Sequence, residues 1–343
     1  MLLQIEGADG CKVWSECVAG ETPNYSPETI ATCWTAITEW IAPKVLGKEF
    51  LGPGSVSEEL DRDIRGHKMA KAAVEMGAWA LEAEREGVSL ARLLGGTRSQ
   101  IGTGISLGIQ PDAATLVTKA GDALSEGYRK IKLKIKPGAD LEYVTAVRDA
   151  LGDKAPLMVD ANNAYTVADF DHLMGLDDLG LVMIEQPLAW DDVVKHAELQ
   201  KLLKTPVCLD ESITGVDKAE DMIALGSGRI INIKPGRVGG FSESKAIHDL
   251  CDREGIPVWC GGMLESGVGR AYNVALASLP NFKIPGDISP SARYWEQDIV
   301  TPEWTMDTTG SVIVPYDTPG IGVEVDVDRV ENLTVRSNTL VKD

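Results

Sequence analysis

The sequence has few basic residues for its size, no paired cysteine motif and no long apolar run. It contains 33 Lys and Arg residues against 52 Asp and Glu residues, so its formal net charge is -19. This charge opposes binding to nucleic acid and to anionic membranes, and no run of about 18 continuous apolar residues predicts a membrane span. We therefore expect a small molecule as partner, with no nucleic acid and no membrane.

The six cysteines include no CxxC pair, and no histidine accompanies them at zinc-ligand spacing. The opening residues, MLLQIEGADG, lack the basic start and apolar stretch of a secretion signal. Both features predict buried thiols in the reducing environment of the cytoplasm.

Short β-type runs alternate with helical segments from Gly102 to about Trp304, which is typical of a parallel α/β architecture. The candidate strands are GISLGI, KIKLKI, LMVDAN, LVMIEQP, VCLDES, IINIKP, PVWCGGM and a weak eighth run near KIPGDIS. Eight such units predict a barrel. The intervening helices are predicted over residues 140–151, 167–179, 193–203 and 242–254.

The two ends of the chain differ from this central region. Two strand-like pieces, LLQIE and KVWSECV, precede a helix that we expect to open at Ser26-Pro27-Glu28, and a second helix is predicted over residues 67–86. The tail from Ser311 alternates again like strands. We predict a separate α+β domain built from both termini, with residues 1–98 as its N-terminal part, 99–304 as the barrel and 305–343 returning to the first domain.

Five charged residues stand at nearly constant intervals, and each lies within a short apolar run. Lys134, Asp160, Glu185, Asp210 and Lys234 are separated by 26, 25, 25 and 24 residues. A repeat of about 25 residues fits one strand plus one crossover helix, so corresponding strand ends can bring all five groups into one pocket.

The three acids of this series predict a metal site. Carboxylates inside apolar strands are costly to bury unless a positive group meets them. Asp160, Glu185 and Asp210 offer the oxygen ligands that suit Mg²⁺, for which Mn²⁺ or another divalent cation could substitute. The alternative is that each acid caps the helix after it, which fits one acid better than three at equal spacing.

Four lysines, Lys130, Lys132, Lys134 and Lys136, share one face of their strand. One interpretation is a solvated edge strand. Inside a barrel this face points inward, which makes Lys134 a candidate base with Lys132 beside it, and Lys234 would face Lys134 across the metal. Opposed lysines around a cation suit removal of a proton next to a carboxylate, which forms an enediolate that the cation stabilises.

Several segments together resemble the enolase superfamily, muconate-lactonizing subgroup: KIKLKI, VDANNAY, IEQPL, LDES, NIKPGRVGG and GGMLESGVGR. Three segments are similar to the o-succinylbenzoate synthase and N-succinylamino acid racemase family: RGHKMAKAAVEMGAWAL, GGMLESGVGR and PGDISPSARYWEQDIV. The resemblance covers nearly the whole chain. It implies a (β/α)₇β TIM-like barrel with an α+β capping domain, Mg²⁺ on the three acids, and Lys134 and Lys234 as catalytic residues.

The resemblance also implies a reaction. Lys134 would take the α-proton of 2-succinyl-6-hydroxy-2,4-cyclohexadiene-1-carboxylate and help to expel hydroxide, giving 2-succinylbenzoate for menaquinone synthesis, while Lys234 stabilises the intermediate. One alternative is a racemase, in which both lysines exchange protons on opposite faces of an N-succinylamino acid. A second alternative is an inactive barrel that binds a ligand. The superfamily also favours a homo-oligomer.

Further residues are candidates for contacts around this centre. Lys132, Asn162 and Glu211 resemble partners of the metal and base residues, and Ser106 is a candidate substrate contact. Met263 and Glu265 lie near a strand end and are expected to shape the pocket. Relatives usually have another strand and a mobile loop before the piece that matches MLLQIEG, so we expect this N-terminal part to be missing.

Overall fold

The structure is a computed structural model that describes residues 1–342. Its strands are β1 (Leu2–Glu6), β2 (Lys12–Glu16), β3 (Gln100–Gly102), β4 (Ile105–Leu107), β5 (Ile131–Lys134), β6 (Leu157–Asp160), β7 (Ile184–Glu185), β8 (Val207–Leu209), β9 (Ile230–Ile233), β10 (Val258–Cys260), β11 (Val300–Thr301), β12 (Ser311–Ile313) and β13 (Glu324–Val325). Its α-helices are α1 (Ile30–Thr35), α2 (Ala42–Val45), α3 (Pro53–Asp63), α4 (Lys68–Glu86), α5 (Leu90–Leu94), α6 (Ala113–Ser125), α7 (Leu141–Leu151), α8 (Phe170–Met174), α9 (Val194–Leu202), α10 (Val216–Leu225), α11 (Pro235–Val238), α12 (Phe241–Arg253), α13 (Gly267–Ala277) and α14 (Val327–Leu333). Within residues 1–342, no helix is long and apolar enough to cross a membrane.

Seven parallel strands, β4 to β10, form one curled sheet in chain order, and helices connect them. The predicted eighth run closes the ring without a regular strand. The amide of Gly104 donates to Gly286 O at 2.6 Å, and the amide of Asp287 donates to Cys260 O at 2.9 Å. The prediction of an α/β barrel is therefore confirmed, with its eighth unit reduced to a short bridging segment.

The barrel strands are apolar because both of their faces are covered, which is the usual pattern of parallel strands. All four residues of β6 and all four of β9 are buried. Helices α7, α9 and α12 lie where the sequence predicted them. The helix predicted over residues 167–179 is wrong, because Gly175 follows α8 directly and short 3₁₀ turns, Val167–Asp169 and Asp177–Leu179, occupy the rest.

The first helix does not open at Ser26-Pro27-Glu28 as expected. It begins at Ile30, and its N-cap is Thr29, whose side chain accepts a hydrogen bond from the amide of Thr32. The carboxylate of Glu28 instead accepts from the amides of Met69 and Ala70, at 2.9 and 3.1 Å. This acid therefore caps the following long helix, α4, because a carboxylate can satisfy the free N–H groups of a first turn.

The N-terminal capping domain consists of the antiparallel pair β1–β2 and helices α1 to α4, and a π-helical segment, Ala36–Ile41, follows α1. Two buried glutamates join it to the barrel. Glu16, at the end of β2, accepts hydrogen bonds from the amides of Ser266 and Gly269 at the start of α13. Glu75 of α4 accepts from the amides of Phe241 and Ser242 at the start of α12. These contacts fix the capping domain beside the helices that follow β9 and β10.

The C-terminal part of the chain lies against residues 88–102. Strand β12 pairs antiparallel with β3, and the amide of Leu90 donates to Gly320 O at 2.8 Å. Strand β13 pairs with β11. The domain boundaries at residues 98 and 304 stay predictions, and Asp343 lies outside the described residues.

Candidate active site

The five regularly spaced residues all lie at the carboxyl ends of neighbouring barrel strands. Lys134 is the register partner of Asp160, and Asp160 is the partner of Glu185. Asp210 directly follows β8, and Lys234 directly follows β9. Because all these strands are parallel and adjacent, the side chains converge at one edge of the barrel. The side chains of Asp160, Glu185 and Asp210 are completely buried.

Asp160, Glu185 and Asp210 form a row of three carboxylates, with Lys134 at one end and Lys234 at the other. Each of these carboxylates forms an ion pair with a lysine. The ammonium of Lys134 lies 2.6 Å from Asp160 Oδ2, and the ammonium of Lys234 lies 2.8 Å from Asp210 Oδ2. Lys132 lies between the first two acids, 3.4 Å from Asp160 and 3.3 Å from Glu185. The lysine face of β5 therefore points into the barrel, and the interpretation of a solvated edge strand is wrong.

The charges of the row shift the pKa values of its members. Burial and the neighbouring carboxylate of Asp160 raise the pKa of Glu185 to about 8. Burial opposes ionisation of Asp210, but the cations of Lys234 and Arg237 outweigh it and lower the pKa of this carboxyl. Burial likewise favours neutral Lys234, but Asp210 outweighs it and raises the pKa of the lysine. Asp210 and Lys234 therefore form a buried ion pair.

The three acids fit a divalent cation by their chemistry. They are buried oxygen donors at adjacent strand ends, which is the donor type that a hard divalent cation prefers. Within residues 1–342, however, no group of three or more Asp, Glu, His or Cys side chains is already arranged around a metal position. Instead, the carboxylate oxygens form ion pairs with the lysine ammonium groups, and Asn232 donates to Glu185 Oε1 at 2.7 Å.

Asn162 and Glu211 extend the contacts of Lys134. The ammonium of Lys134 donates to Asn162 Oδ1, and the amide nitrogen of that side chain donates to Glu211 Oε1 at 3.2 Å. The backbone amide of Asn162 donates to Asp160 Oδ1 at 2.9 Å. Burial and the nearby Asp210 raise the pKa of Glu211 to about 7. The resemblance implies that these residues lie near Lys134, and the structure brings them together.

The remaining predicted residues lie around the same strand ends. Ser106 is the register partner of Lys132, so it lies beside the lysine face of β5. Met263 packs against the core of the capping domain. The carboxylate of Glu265 accepts from the amide of Met263 and from the side chain of Asn273, both at 2.8 Å. Glu265 thus holds the loop after β10, which agrees with a role in shaping the pocket.

Four further residues, which the sequence did not indicate, contact the five regularly spaced residues or Lys132. Tyr25, on the loop before α1, donates to Asp210 Oδ1 at 2.9 Å. Arg237 of α11 also pairs with Asp210. Asp287, in the bridging eighth segment, lies 2.5 Å from Lys132, and Asn232 contacts Glu185. The alternation of Asn232 with Lys234 on β9 was a usable signal, whereas nothing in the sequence places the loop of Tyr25 over the barrel.

Comparison with known families supports this architecture. Residues 1–95 match the model of the mandelate racemase and muconate lactonizing enzyme N-terminal domain, and residues 115–330 match the enolase C-terminal domain-like model. A member of the enolase superfamily from Listeria innocua superposes with a TM-score of 0.93 at 41% identity. That comparison covers 96% of this chain and 88% of the other.

Two relatives represent the range of names among similar sequences. A protein of Geobacillus kaustophilus named o-succinylbenzoate synthase is 51% identical over 97% of this chain and 88% of its own length. A protein of Thermus thermophilus named N-succinylamino acid racemase is 45% identical over 98% of this chain and 89% of its own length. The matched models, the barrel and its capping domain lead to one conclusion: the chain belongs to the mandelate racemase and muconate lactonizing enzyme family of the enolase superfamily.

Proposed function

We propose that this protein is an o-succinylbenzoate synthase, which dehydrates 2-succinyl-6-hydroxy-2,4-cyclohexadiene-1-carboxylate to 2-succinylbenzoate. The observation that carries the proposal is the row of three buried carboxylates with a lysine at each end, Lys134 on β5 and Lys234 after β9. Relatives named o-succinylbenzoate synthase at 48% to 51% identity support this reaction.

Enzymes of this superfamily generally use a divalent metal ion. We propose Mg²⁺, held by Asp160, Glu185 and Asp210, because these residues offer only hard oxygen donors. When bound, the cation supplies positive charge to the substrate carboxylate, which makes the neighbouring C–H bond more acidic.

The two lysines have different roles in the reaction. Lys134 is one-quarter exposed, whereas Lys234 is almost completely buried, so Lys134 is the more accessible of the two ammonium positions. We assign Lys134 as the base that takes the α-proton and returns it to the leaving hydroxyl group, so that hydrogen and hydroxide depart as water. As a base, Lys134 acts in its neutral form and free of its contact with Asp160. In the dehydration, Lys234 acts as an ammonium ion and stabilises the negative charge on the opposite side of the substrate ring.

A second candidate function is racemisation of N-succinylamino acids. The observation that favours it is the position of two lysines on opposite sides of one carboxylate row, because racemisation needs a proton donor and a proton acceptor on opposite faces of one carbon. Relatives that carry the racemase name at 45% identity support this alternative. The two reactions begin with the same proton removal, so one pocket can perform both.

Incubation of the purified protein with the cyclohexadiene acid and Mg²⁺ tests the proposal, with the ultraviolet absorbance of the substrate as readout. We expect conversion by the wild type and loss of conversion in Lys134→Ala by at least about 10³-fold, because a positioned base contributes up to about 10⁴-fold. Lys136→Ala is the matched control, since Lys136 follows on the same lysine face but is exposed.

An unreacted substrate with wild-type protein, beside an active relative, would refute the synthase. Loss of optical rotation from one enantiomer of an N-succinylamino acid would then support the racemase. Tight binding of both substrates without any reaction would indicate an inactive barrel that acts as a ligand-binding protein.

A further inference from the structure

A second pocket lies at the end of the barrel opposite the carboxylate row. It has a volume of about 240 Å³ and is formed by residues before and within β3, by Arg129 before β5, by Ala277 at the end of α13 and by the segment that closes the barrel. Its walls include Gly102 and Gly286, which are joined by a backbone hydrogen bond of 3.1 Å. The pocket therefore spans the seam where the ring has only a bridging segment in place of a regular strand.

The pocket is positively charged. Three of its eleven lining residues are basic, namely Arg98, Arg129 and Lys283, and none is Asp or Glu. This composition runs against that of the chain, which has 52 acidic and 33 basic residues. Arg129 and Lys283 are exposed and Arg98 is partly buried. Like charges that face one cavity repel each other, and an anion between them would relieve this repulsion.

Neutral groups hold the two guanidinium groups in place. Arg98 donates to the carbonyl oxygens of Phe282 and Pro280, and Arg129 donates to the carbonyl oxygen of Thr309 at 2.7 Å. The nearby carboxylate of Asp307 accepts hydrogen bonds from the turn that contains Thr309 instead of pairing with Arg129. Both arginines are thus oriented without a carboxylate partner among residues 1–342.

The surroundings of Lys283 and Gly102 leave the pocket with positive charge and with open space. Lys283 lies 3.7 Å from Asp252, and both side chains are more than half exposed, so this pair is weak. A Cβ atom at Gly102 would lie 3.2 Å from Cδ of Arg129 and 3.5 Å from Cγ of Pro285. The glycine therefore keeps the space between the arginine and the closing segment open. Burial without a counter-charge also lowers the pKa of Arg98.

The closing segment connects this pocket with the catalytic end. Gly286 forms part of the pocket wall, and the next residue, Asp287, pairs with Lys132 at 2.5 Å and with Lys130 at 3.1 Å. An anion that bridges Arg129 on one side and Lys283 on the other would tie together the two sides of the seam.

We propose that this pocket binds a multivalent oxyanion of phosphate type and that the bound anion stabilises the closure of the barrel. A ligand that binds only the folded state lowers the unfolding equilibrium constant by a factor of one plus the ratio of its concentration to its dissociation constant. With a dissociation constant of about 1 mM, 10 mM phosphate would lower it about tenfold.

Thermal unfolding of the full chain with sodium phosphate, against sodium chloride at equal ionic strength, tests the proposal. We expect phosphate to raise the unfolding midpoint beyond the effect of chloride. Isothermal titration should show at least about tenfold weaker phosphate binding in Lys283→Met and no measurable binding in Arg129→Met/Lys283→Met. Arg253→Met, an exposed substitution on α12, is the matched control and should bind like the wild type.

Lys134→Ala tests whether phosphate binds at the cationic catalytic site instead of this pocket. Phosphate should raise the unfolding midpoint of this variant as much as that of the wild type. A parallel titration with glycerol 3-phosphate distinguishes a phosphomonoester from the free ion, and the tighter of the two ligands identifies the natural class. The proposal is overturned if phosphate has no effect beyond that of chloride, if the double variant keeps the effect, or if Lys134→Ala abolishes it.

Discussion

Lys134 and Asp160 are register partners on neighbouring parallel strands, and their charged groups meet at 2.6 Å. The backbone hydrogen bonds between β5 and β6 therefore fix the distance between the proposed base and the proposed metal ligand.

Mg²⁺ binding is the first prediction. We expect Mg²⁺ to raise the unfolding midpoint of the wild type, since the ion binds the folded carboxylate row, and a chelator to abolish activity reversibly. Glu185→Gln should lose the Mg²⁺-dependent rise, because it removes one anionic ligand from the centre of the row. Glu220→Gln, on the exterior helix α10, is the control. An unchanged Mg²⁺ response in Glu185→Gln would contradict the assigned ligand set.

Removal of the Lys234 charge is the second prediction. Lys234→Met keeps the length of the side chain but leaves Asp210 with one fewer cation at 2.8 Å. We expect activity to fall by at least about 10²-fold, as for loss of a charged group that stabilises the transition state. The steady-state rate should fall more than the substrate affinity. A variant that changes only the KM would argue for a binding role instead.

The connection between the capping domain and the barrel gives the third prediction. Glu75 is completely buried and accepts hydrogen bonds from Phe241, Ser242 and Trp79. Glu75→Gln replaces one acceptor oxygen by a donor nitrogen, so we expect the free energy of unfolding to fall by about 3 kcal/mol. Glu86→Gln, exposed at the end of the same helix, should change it little. Urea denaturation measures both, and equal stabilities would contradict the role of Glu75.

Asp140 gives a prediction about pH. Its carboxylate caps α7, accepts a hydrogen bond from Tyr165 at 2.8 Å and contacts His172 at 2.8 Å. Burial opposes its ionisation, but these hydrogen bonds outweigh burial and lower its pKa in the folded state. A lowered folded pKa contributes stability above the unfolded pKa of about 3.9, and this contribution disappears as the pH falls towards the folded value.

We therefore expect Asp140→Asn to be less stable than the wild type at pH 7, with a difference that narrows below about pH 4. Thermal unfolding at several pH values measures this difference. Asp171→Asn, exposed on α8, is the control. A constant difference between wild type and Asp140→Asn across the whole range would show that the charge of Asp140 is not the cause.

The repeat of about 25 residues predicted the row because one period corresponds to one strand and one helix, and parallel strands end at the same edge. This reasoning works for residues whose position follows from strand order, such as Asp160 and Glu185. It fails for Tyr25, which reaches Asp210 across 185 positions of sequence through an irregular loop. Local sequence also misplaced the start of the helix expected at Ser26. The carboxylate of Glu28 caps α4, because it accepts a hydrogen bond from the amide of Met69, 41 positions further along the chain.

The eighth barrel unit shows a second limit of the sequence. Its run near KIPGDIS is interrupted by Pro285 and Gly286, which weaken a regular strand, so closure depends on single bridges that no local pattern reveals. Asp287 therefore could not be placed beside Lys132 from the sequence.

The central claim is that Lys134 and Lys234 serve opposite faces of one carbon next to a carboxylate. Exchange of the α-hydrogen of each enantiomer of an N-succinylamino acid in D₂O, followed by NMR with Mg²⁺ present, tests it most directly. We predict that the wild type exchanges both enantiomers, that Lys134→Ala loses exchange with one of them, and that Lys234→Ala loses exchange with the other. Exchange of both enantiomers at the wild-type rate by either variant, or no exchange by the wild type, would contradict the account.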